Sequence, residues 1–383
     1  MRRASGVSRR SDVDPFIVMD VMERARAAEA AGRSIIHMEV GQPGTPAPQV
    51  ARDGLIRAMA EGPLGYTVAL GLPELRARIA RLYADWYGVD LNPERVVVTA
   101  GSSAAFLLAF TALFDAGARV GLGLPGYPSY RQILKALSLE AVGFETTPEN
   151  RFQPVAGDLP PDLAGLIVAS PSNPTGTMLN RDAMADLIGA CHARGCAFVS
   201  DEIYHGVQYG ARAVSALEIS DDVYVINSFS KYFSMTGWRI GWMVVPEAHI
   251  RTLERLAQNM FICAPHASQI AALHAMDAED ELRANLDVYA ANRRLMLDRL
   301  PGAGFDRIAP PDGAFYVYAD ISGLTDDSLA FAGEVLDGAG VAVTPGLDFD
   351  PGRGGGTLRL SYARATADIA EGLDRLTDWM ARR

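Results

Sequence analysis

Residues 95–144 read RVVVTAGSSAAFLLAFTALFDAGARVGLGLPGYPSYRQILKALSLEAVGF. Three short apolar runs, RVVVT (95–99), ARVGLGL (118–124) and EAVGF (140–144), alternate with the helix-like stretches AAFLLAFTALF and YRQILKAL. The alternation continues through GLIVAS (165–170), CAFVS (196–200), VYVINSF (223–229) and RIGWMVV (239–245). Most of these strands lack a polar face, as strands covered on both sides do, and helical connections between strands call for parallel pairing. The expectation is an α/β fold with a mostly parallel seven-stranded sheet covered by helices.

Outward from this block, helical patterns at 48–61 and 73–87 precede the sheet, and others at 246–259, 266–277 and 279–300 follow it. Pro15 suits the first turn of a helix that Gly32 stops, and a short strand Ile35–Val40 then enters the loop GQPGTPAP. The tail changes rhythm, with strands near 304–308, 314–319, 340–344 and 357–361 and helices near 325–338 and 364–382. These divide the chain into a large domain, 46–279, and a smaller α+β domain made of 1–45 and 280–383.

The chain of 383 residues is 49% hydrophobic and 21% charged, an ordinary globular composition with enough length for a sizeable core. A formal charge of −11 argues against a protein that coats nucleic acid or an anionic membrane. The four arginines among the first ten residues read as a frayed polar arm. The longest apolar stretch, Ala104–Phe114, falls far short of the ~18 residues that cross a bilayer, and Phe16–Met19 is too short for a signal-peptide core. Cys191, Cys196 and Cys263 match neither a disulfide set nor a zinc spacing, so free thiols in the reducing cytoplasm are expected.

Ligands of open α/β sheets bind beyond the carboxyl ends of the strands. After RVVVT comes the turn Ala100-Gly101-Ser102-Ser103, opening a helix whose free N–H groups and dipole suit an anion such as phosphate. The next strand ends deliver Tyr127, then Asn173 within SPSNPTG, then Asp201 and Tyr204 within SDEIY, and finally Ser228, Ser230 and Lys231 within SFSKYF, with Arg239 shortly after. Only two lysines occur in the chain. Lys231 has hydroxyls and an arginine around it, whereas Lys135 lies in an amphipathic run with no such company. This set meets the needs of pyridoxal phosphate: a lysine amine for its aldehyde, an acid for its ring nitrogen, and donors for its phenolate and phosphate.

The strings SPSNPTG, SDEIY, SFSKYFSMTGWRIGW, PDGAFYVYAD and LRLSYA, in this order and spacing, resemble the class I aminotransferases of the fold type I pyridoxal-phosphate family, and most of all the bacterial aspartate aminotransferase-like subgroup. The similarity runs from Gly41 to Ala363. It implies that Lys231 carries the cofactor and moves the substrate α-proton, that Asp201 pairs with the pyridine nitrogen, and that Asn173 and Tyr204 bond the phenolate oxygen. Tyr127 would stack on the ring. Gly101, Ser102, Ser103, Ser228, Ser230 and Arg239 would hold the phosphate or lie beside it. Arg359 matches the clamp for the substrate α-carboxylate, Gly41 a glycine whose backbone lies over the substrate, and Tyr66 a tyrosine that reaches the phosphate in the neighbouring subunit. A homodimer with shared active sites follows. The reaction implied is transfer of the amino group of an L-amino acid to a 2-oxo acid, such as 2-oxoglutarate or pyruvate, by a ping-pong mechanism through pyridoxamine phosphate.

Ser103 stands where acidic-substrate members of the subgroup carry a lysine, and Phe16-Ile17-Val18-Met19 is apolar where they carry small or polar residues. A neutral or aromatic amino acid is therefore expected in preference to aspartate, although an arginine could supply the missing charge of an aspartate aminotransferase. A pyridoxal-phosphate β-lyase would use the same lysine, aspartate and arginine. A nicotinamide-dependent dehydrogenase is the remote alternative, because Gly121–Gly126 is a literal GxGxxG with Glu145 beyond it. Pro125 and Pro128 remove donors from that loop, and the fingerprint leaves Lys231 and Asp201 without a purpose. A regulator with an aminotransferase-like sensor domain would need a DNA-binding domain before Gly41, where about 40 residues are too few.

Overall fold

The computed structural model describes residues 6–383. In chain order the elements are α1 (Ile17–Ala30), β1 (Ile36–His37), α2 (Gln49–Glu61), α3 (Pro73–Tyr87), β2 (Val96–Thr99), α4 (Gly101–Leu113), β3 (Arg119–Leu124), α5 (Pro128–Ala136), β4 (Glu140–Glu145), β5 (Gly165–Ala169), α6 (Arg181–Ala193), β6 (Ala197–Asp201), β7 (Tyr224–Ser228) and β8 (Gly241–Val244). There follow α7 (Ile250–Met260), α8 (His266–Ala275), α9 (Glu279–Arg299), β9 (Arg307–Ala309), β10 (Tyr316–Asp320), α10 (Ser328–Ala339), β11 (Val341–Ala342), β12 (Thr344–Pro345), β13 (Thr357–Ser361) and α11 (Thr366–Met380).

Strands β2 to β8 form one seven-stranded sheet in the order β2-β8-β7-β6-β5-β3-β4, parallel except for β8, which runs antiparallel to both its neighbours. The absence of a polar face has a direct cause. Val96, Leu166, Phe198 and Trp242 enter a core with α3 and α6, where Leu75, Ile79, Leu187 and Ile188 are buried. Their chain neighbours Val97, Ile167, Val199 and Met243 point the other way, into a core with Phe106 and Phe110 of α4, Leu134 of α5 and Leu253 of α7. Period-two alternation thus feeds two apolar layers, each large side chain contributing about 1.5–3 kcal/mol on burial.

The second sheet, β12-β13-β10-β9, is antiparallel and packs against α11 through Leu358, Leu360, Ile369 and Leu373. The expected strand Ile35–Val40 is shorter than read. Only Ile36 and His37 pair, with Val341 and Ala342. Beyond them Met38 donates to the Ala342 carbonyl (2.9 Å) but accepts from Ser361 N–H (2.7 Å), so the chain bridges two sheets and leaves the ladder. The expected strand 340–344 likewise divides into β11, paired with β1, and β12, paired with β13. Pro15 lies outside α1, and residues 247–249 form a 3-10 turn ahead of α7. Of the N-terminal arm, residues 1–5 lie outside the described residues, while Arg9–Ser11 form an exposed 3-10 turn capped by Ser8. Among the described residues no helix is long and apolar enough to cross a membrane.

Candidate active site

Strands β5, β6 and β7 lie side by side, so the residues at their carboxyl ends, Asn173, Asp201 and Lys231, meet at one edge of the sheet. They line a cavity of about 190 Å3 together with Gly41, Ser102, Ser103, Tyr127, Tyr204, Ser230, Arg239 and Arg359. Ser228 and Gly101 lie immediately behind. The Ser228 hydroxyl donates to the Ile240 carbonyl (3.0 Å) and accepts from the Ser230 N–H (3.1 Å), which fixes the turn before Lys231. Gly101 opens α4 at φ +77°, and a Cβ there would lie 2.5 Å from Arg239 Nη2. Only glycine lets the start of α4 approach that guanidinium. No side chain caps α4, so its first N–H groups stay available beside Arg239 and Ser230 for an anion.

Lys231 Nζ donates to the Gly41 carbonyl and lies 5.7 Å from the Tyr204 ring centroid and 5.8 Å from that of Phe315. Burial, then the positive fields of Arg359 and Arg239, pull its amine down to about 7. In the cofactor-free protein, acylation of Lys231 by a small amine reagent is therefore expected to reach half its maximal rate near pH 7. Peptide mapping across a pH series measures this, and reactivity that keeps climbing to the ordinary lysine range near 10.4 would contradict the burial argument.

Asp201 is 4% exposed. Its carboxylate accepts from the Tyr130 hydroxyl and from Ile203 N–H (3.0 Å), but from no cation, and burial lifts it to about 6. Arg359 is 2% exposed. It donates to neutral oxygens only: Asn173 Oδ1 (2.9 Å), the Glu39 carbonyl and Thr344 Oγ1 (3.2 Å). Its guanidinium carbon sits 4.4 Å from the Tyr316 ring centroid and 4.8 Å from that of Phe349, and its Nε has no partner. A desolvated planar fork with no carboxylate bonded to it among the described residues suits a carboxylate brought in from outside.

The other expected residues are placed as follows. Gly41 is an approach point, because a Cβ there would sit 1.7 Å from the Tyr316 hydroxyl. The Tyr204 hydroxyl pairs with that of Tyr316 at 2.7 Å, and burial holds Tyr204 well above the usual phenol range. Tyr66 stands apart from the cavity and is 82% exposed. In the GxGxxG loop the Gly126 N–H is spent on the Phe349 carbonyl (3.1 Å) and is not free to meet an anion.

Of the cavity residues that escaped the sequence reading, three stand out. Tyr130 follows Tyr127 by one helical turn and supports Asp201. Tyr316 lies in the quoted string PDGAFYVYAD, where the run of aromatics hid which one faces the site. Phe106 lines the cavity from the apolar helix α4, where nothing in its sequence sets it apart from the core phenylalanines around it.

A profile of the aminotransferases of class I and II matches residues 33–376. A valine–pyruvate aminotransferase of Mycobacterium tuberculosis is 47% identical over 381 residues, covering 98% of each chain. Among solved structures, a chain from Silicibacter pomeroyi is 69% identical with a TM-score of 0.95, covering 99% of this chain and all of its own. The aspartate aminotransferase of Thermus thermophilus with maleate is 29% identical with a TM-score of 0.91, covering 98% of this chain and 100% of its own.

Proposed function

The chain belongs to the class I and II aminotransferase family, and from that premise we propose a pyridoxal-phosphate enzyme that moves the amino group of a neutral L-amino acid to a 2-oxo acid, pyruvate or 2-oxoglutarate. The observation that carries the reading is the convergence on one cavity of three buried ionisable groups, none of them in a direct ion pair among the described residues: the Lys231 amine, the Asp201 carboxylate and the Arg359 guanidinium. They fit the cofactor because each lacks what it would provide or bring. Asp201 is hydrogen-bonded by no cation among the described residues, and a protonated ring nitrogen is one. The start of α4, Ser102, Ser103, Ser230 and Arg239 gather donors with no anion, and a phosphate is one. When bound, pyridoxal phosphate supplies an aldehyde that condenses with amines and a conjugated ring that accepts an electron pair.

The chain's own residues then do the rest. Arg359 grips the substrate α-carboxylate as a fork, with Asn173 Oδ1 holding one of its arms. Lys231 Nζ, a large fraction of it neutral near pH 7, takes the proton from the substrate α-carbon and holds it for return. Asp201 keeps a negative charge in a dry site, supported by Tyr130. Tyr204 and Asn173 serve the phenolate oxygen and Tyr127 the face of the ring, while Gly41 keeps its backbone close to the substrate. Phe16, Val18 and Met19 shield the cavity from water.

Tyr66 would enter the site of a second copy in a homodimer. Ile56, Met59, Val68, Met260 and Ile262 are exposed apolar residues of the segments around it, and Gly65 is bonded to His266 at 2.9 Å, in keeping with a covered face. The large and small domains would divide at 46 and 280. Three free cysteines fit a cytoplasmic setting.

A neutral side chain is favoured because Ser103 replaces a cation while Phe16, Val18 and Met19 present hydrocarbon. The valine activity of the 47% identical relative points to aliphatic substrates. With pyruvate or 2-oxoglutarate as acceptor, kcat/KM for valine is expected to exceed that for aspartate by at least about tenfold, the worth of burying two methyl groups against an apolar wall. Preference for aspartate would refute the side-chain assignment, and release of pyruvate and ammonia from a cysteine conjugate without an acceptor would favour the β-lyase.

A further inference from the structure

Asp348 is a buried carboxylate, 3% exposed, that the chemistry above does not use. It belongs to the segment between β12 and β13, yet its oxygens accept from the backbone N–H groups of Ile17 (3.1 Å) and Val18 (3.2 Å), at the start of α1. The residue in the N-cap position there, Phe16, has no oxygen to offer, so a carboxylate more than three hundred residues away caps the helix. Its negative charge also suits the positive end of the helix dipole.

The same segment holds two other parts of the site. The carbonyls of Asp348 and Phe349 accept from Arg131 at 2.8 and 3.2 Å, tying the segment to α5, and the Phe349 ring packs 4.8 Å from the guanidinium carbon of Arg359. One short stretch thus grips the first turn of α1 on one side and backs the carboxylate clamp on the other. What α1 brings is apolar: Phe16, Val18 and Met19 line the cavity, and the Phe16 ring meets that of Tyr127 edge-on at 5.9 Å.

We propose that Asp348 is a specificity-determining positioning residue: by capping α1 it fixes Phe16, Val18 and Met19 as a hydrocarbon ceiling over a substrate held by Arg359. The ceiling accepts short or branched aliphatic side chains and leaves a second carboxylate without a partner. Loss of the cap frees the first turn of α1, so the ceiling is met by fewer molecules and the advantage of an aliphatic side chain falls.

This inference rests on the proposed reading of Arg359, and the test separates the two. Wild-type turnover with any amino acid examines the function. The ratio of kcat/KM for valine to that for aspartate, compared between wild type, D348A and D348N, examines the cap whichever amino acid the wild type prefers. D348A is expected to lower the ratio about tenfold, the size of a lost cap, with the loss carried by KM for valine. D348N, which retains the shape and one acceptor oxygen, is expected to lower it about threefold and keeps the comparison valid should D348A fail to fold. In an F16A/M19A background neither change at Asp348 is expected to alter the ratio further. An unchanged ratio in D348N and D348A, an equal fall for both amino acids, or a full effect persisting in the F16A/M19A background would each overturn the proposal.

Discussion

Lys231→Ala is expected to lose at least about 10³-fold in transamination, whereas Lys135→Ala retains wild-type turnover. The difference rests on environment. Lys231 Nζ is enclosed by Gly41, Tyr204 and Phe315, and a large fraction of its amine is neutral near pH 7 because burial and two arginines oppose its charge. A neutral amine in a dry cavity is both a nucleophile and a base, and its loss removes two functions at once. Lys135 lies on α5 with its side chain 45% exposed, 3.9 Å from Asp12 and Asp14. Such exposed pairs contribute about 0–1 kcal/mol and touch no reacting atom. Single-turnover assays with one amino acid measure the effect, and methylamine added to Lys231→Ala is expected to restore part of the proton transfer. Equal activity in the two variants would remove Lys231 from the chemistry.

Asp201→Asn is expected to lower kcat about 10²- to 10³-fold while leaving the cofactor-free fold intact or more stable above pH 6. In the proposed mechanism the rate would fall because the charge of Asp201, not its shape, would balance a protonated ring. The stability sign follows from linkage. Burial raises the folded-state pKa of Asp201 from 3.8 to about 6. The protonated form therefore stabilises the fold fully below about 4, and this contribution is lost as pH rises through 6, where the carboxylate must ionise in a buried site. Asparagine never ionises, so at pH 8 the cofactor-free variant is expected to melt no lower than wild type. Steady-state kinetics beside thermal melts at pH 5 and pH 8 measure both halves. A variant that melts lower at both pH values and is inactive for that reason would assign Asp201 to structure alone.

The strands inside the large sheet were legible because both their faces are buried, which makes apolar runs such as RVVVT and GLIVAS stand out without any partner known, while the edge strand β4 is only partly covered. Strands that change partners were not. Met38 divides its hydrogen bonds between Ala342 and Ser361, and Val343 separates pairing with β1 from pairing with β13, neither of which leaves a periodic trace. In the site, residues that follow a strand end could be read from position alone, hence Asn173, Asp201 and Lys231. Residues defined by what they touch could not: Tyr130 meets Asp201 across 71 positions, Tyr316 meets Tyr204 across 112, and Asp348 meets Ile17 across 331. The GxGxxG string misleads for the same reason, since its last N–H is committed to Phe349. Tyr66 is a third kind of case, a residue whose expected role needs a second chain.

The most direct test of the whole account is to reduce the enzyme, purified with its cofactor, by borohydride and to map the modified peptide by mass spectrometry. The expected result is a single pyridoxyl-phosphate adduct on Lys231, absent when L-valine is added before reduction. An adduct on Lys135, or no covalent adduct in an enzyme that still transaminates, would contradict it.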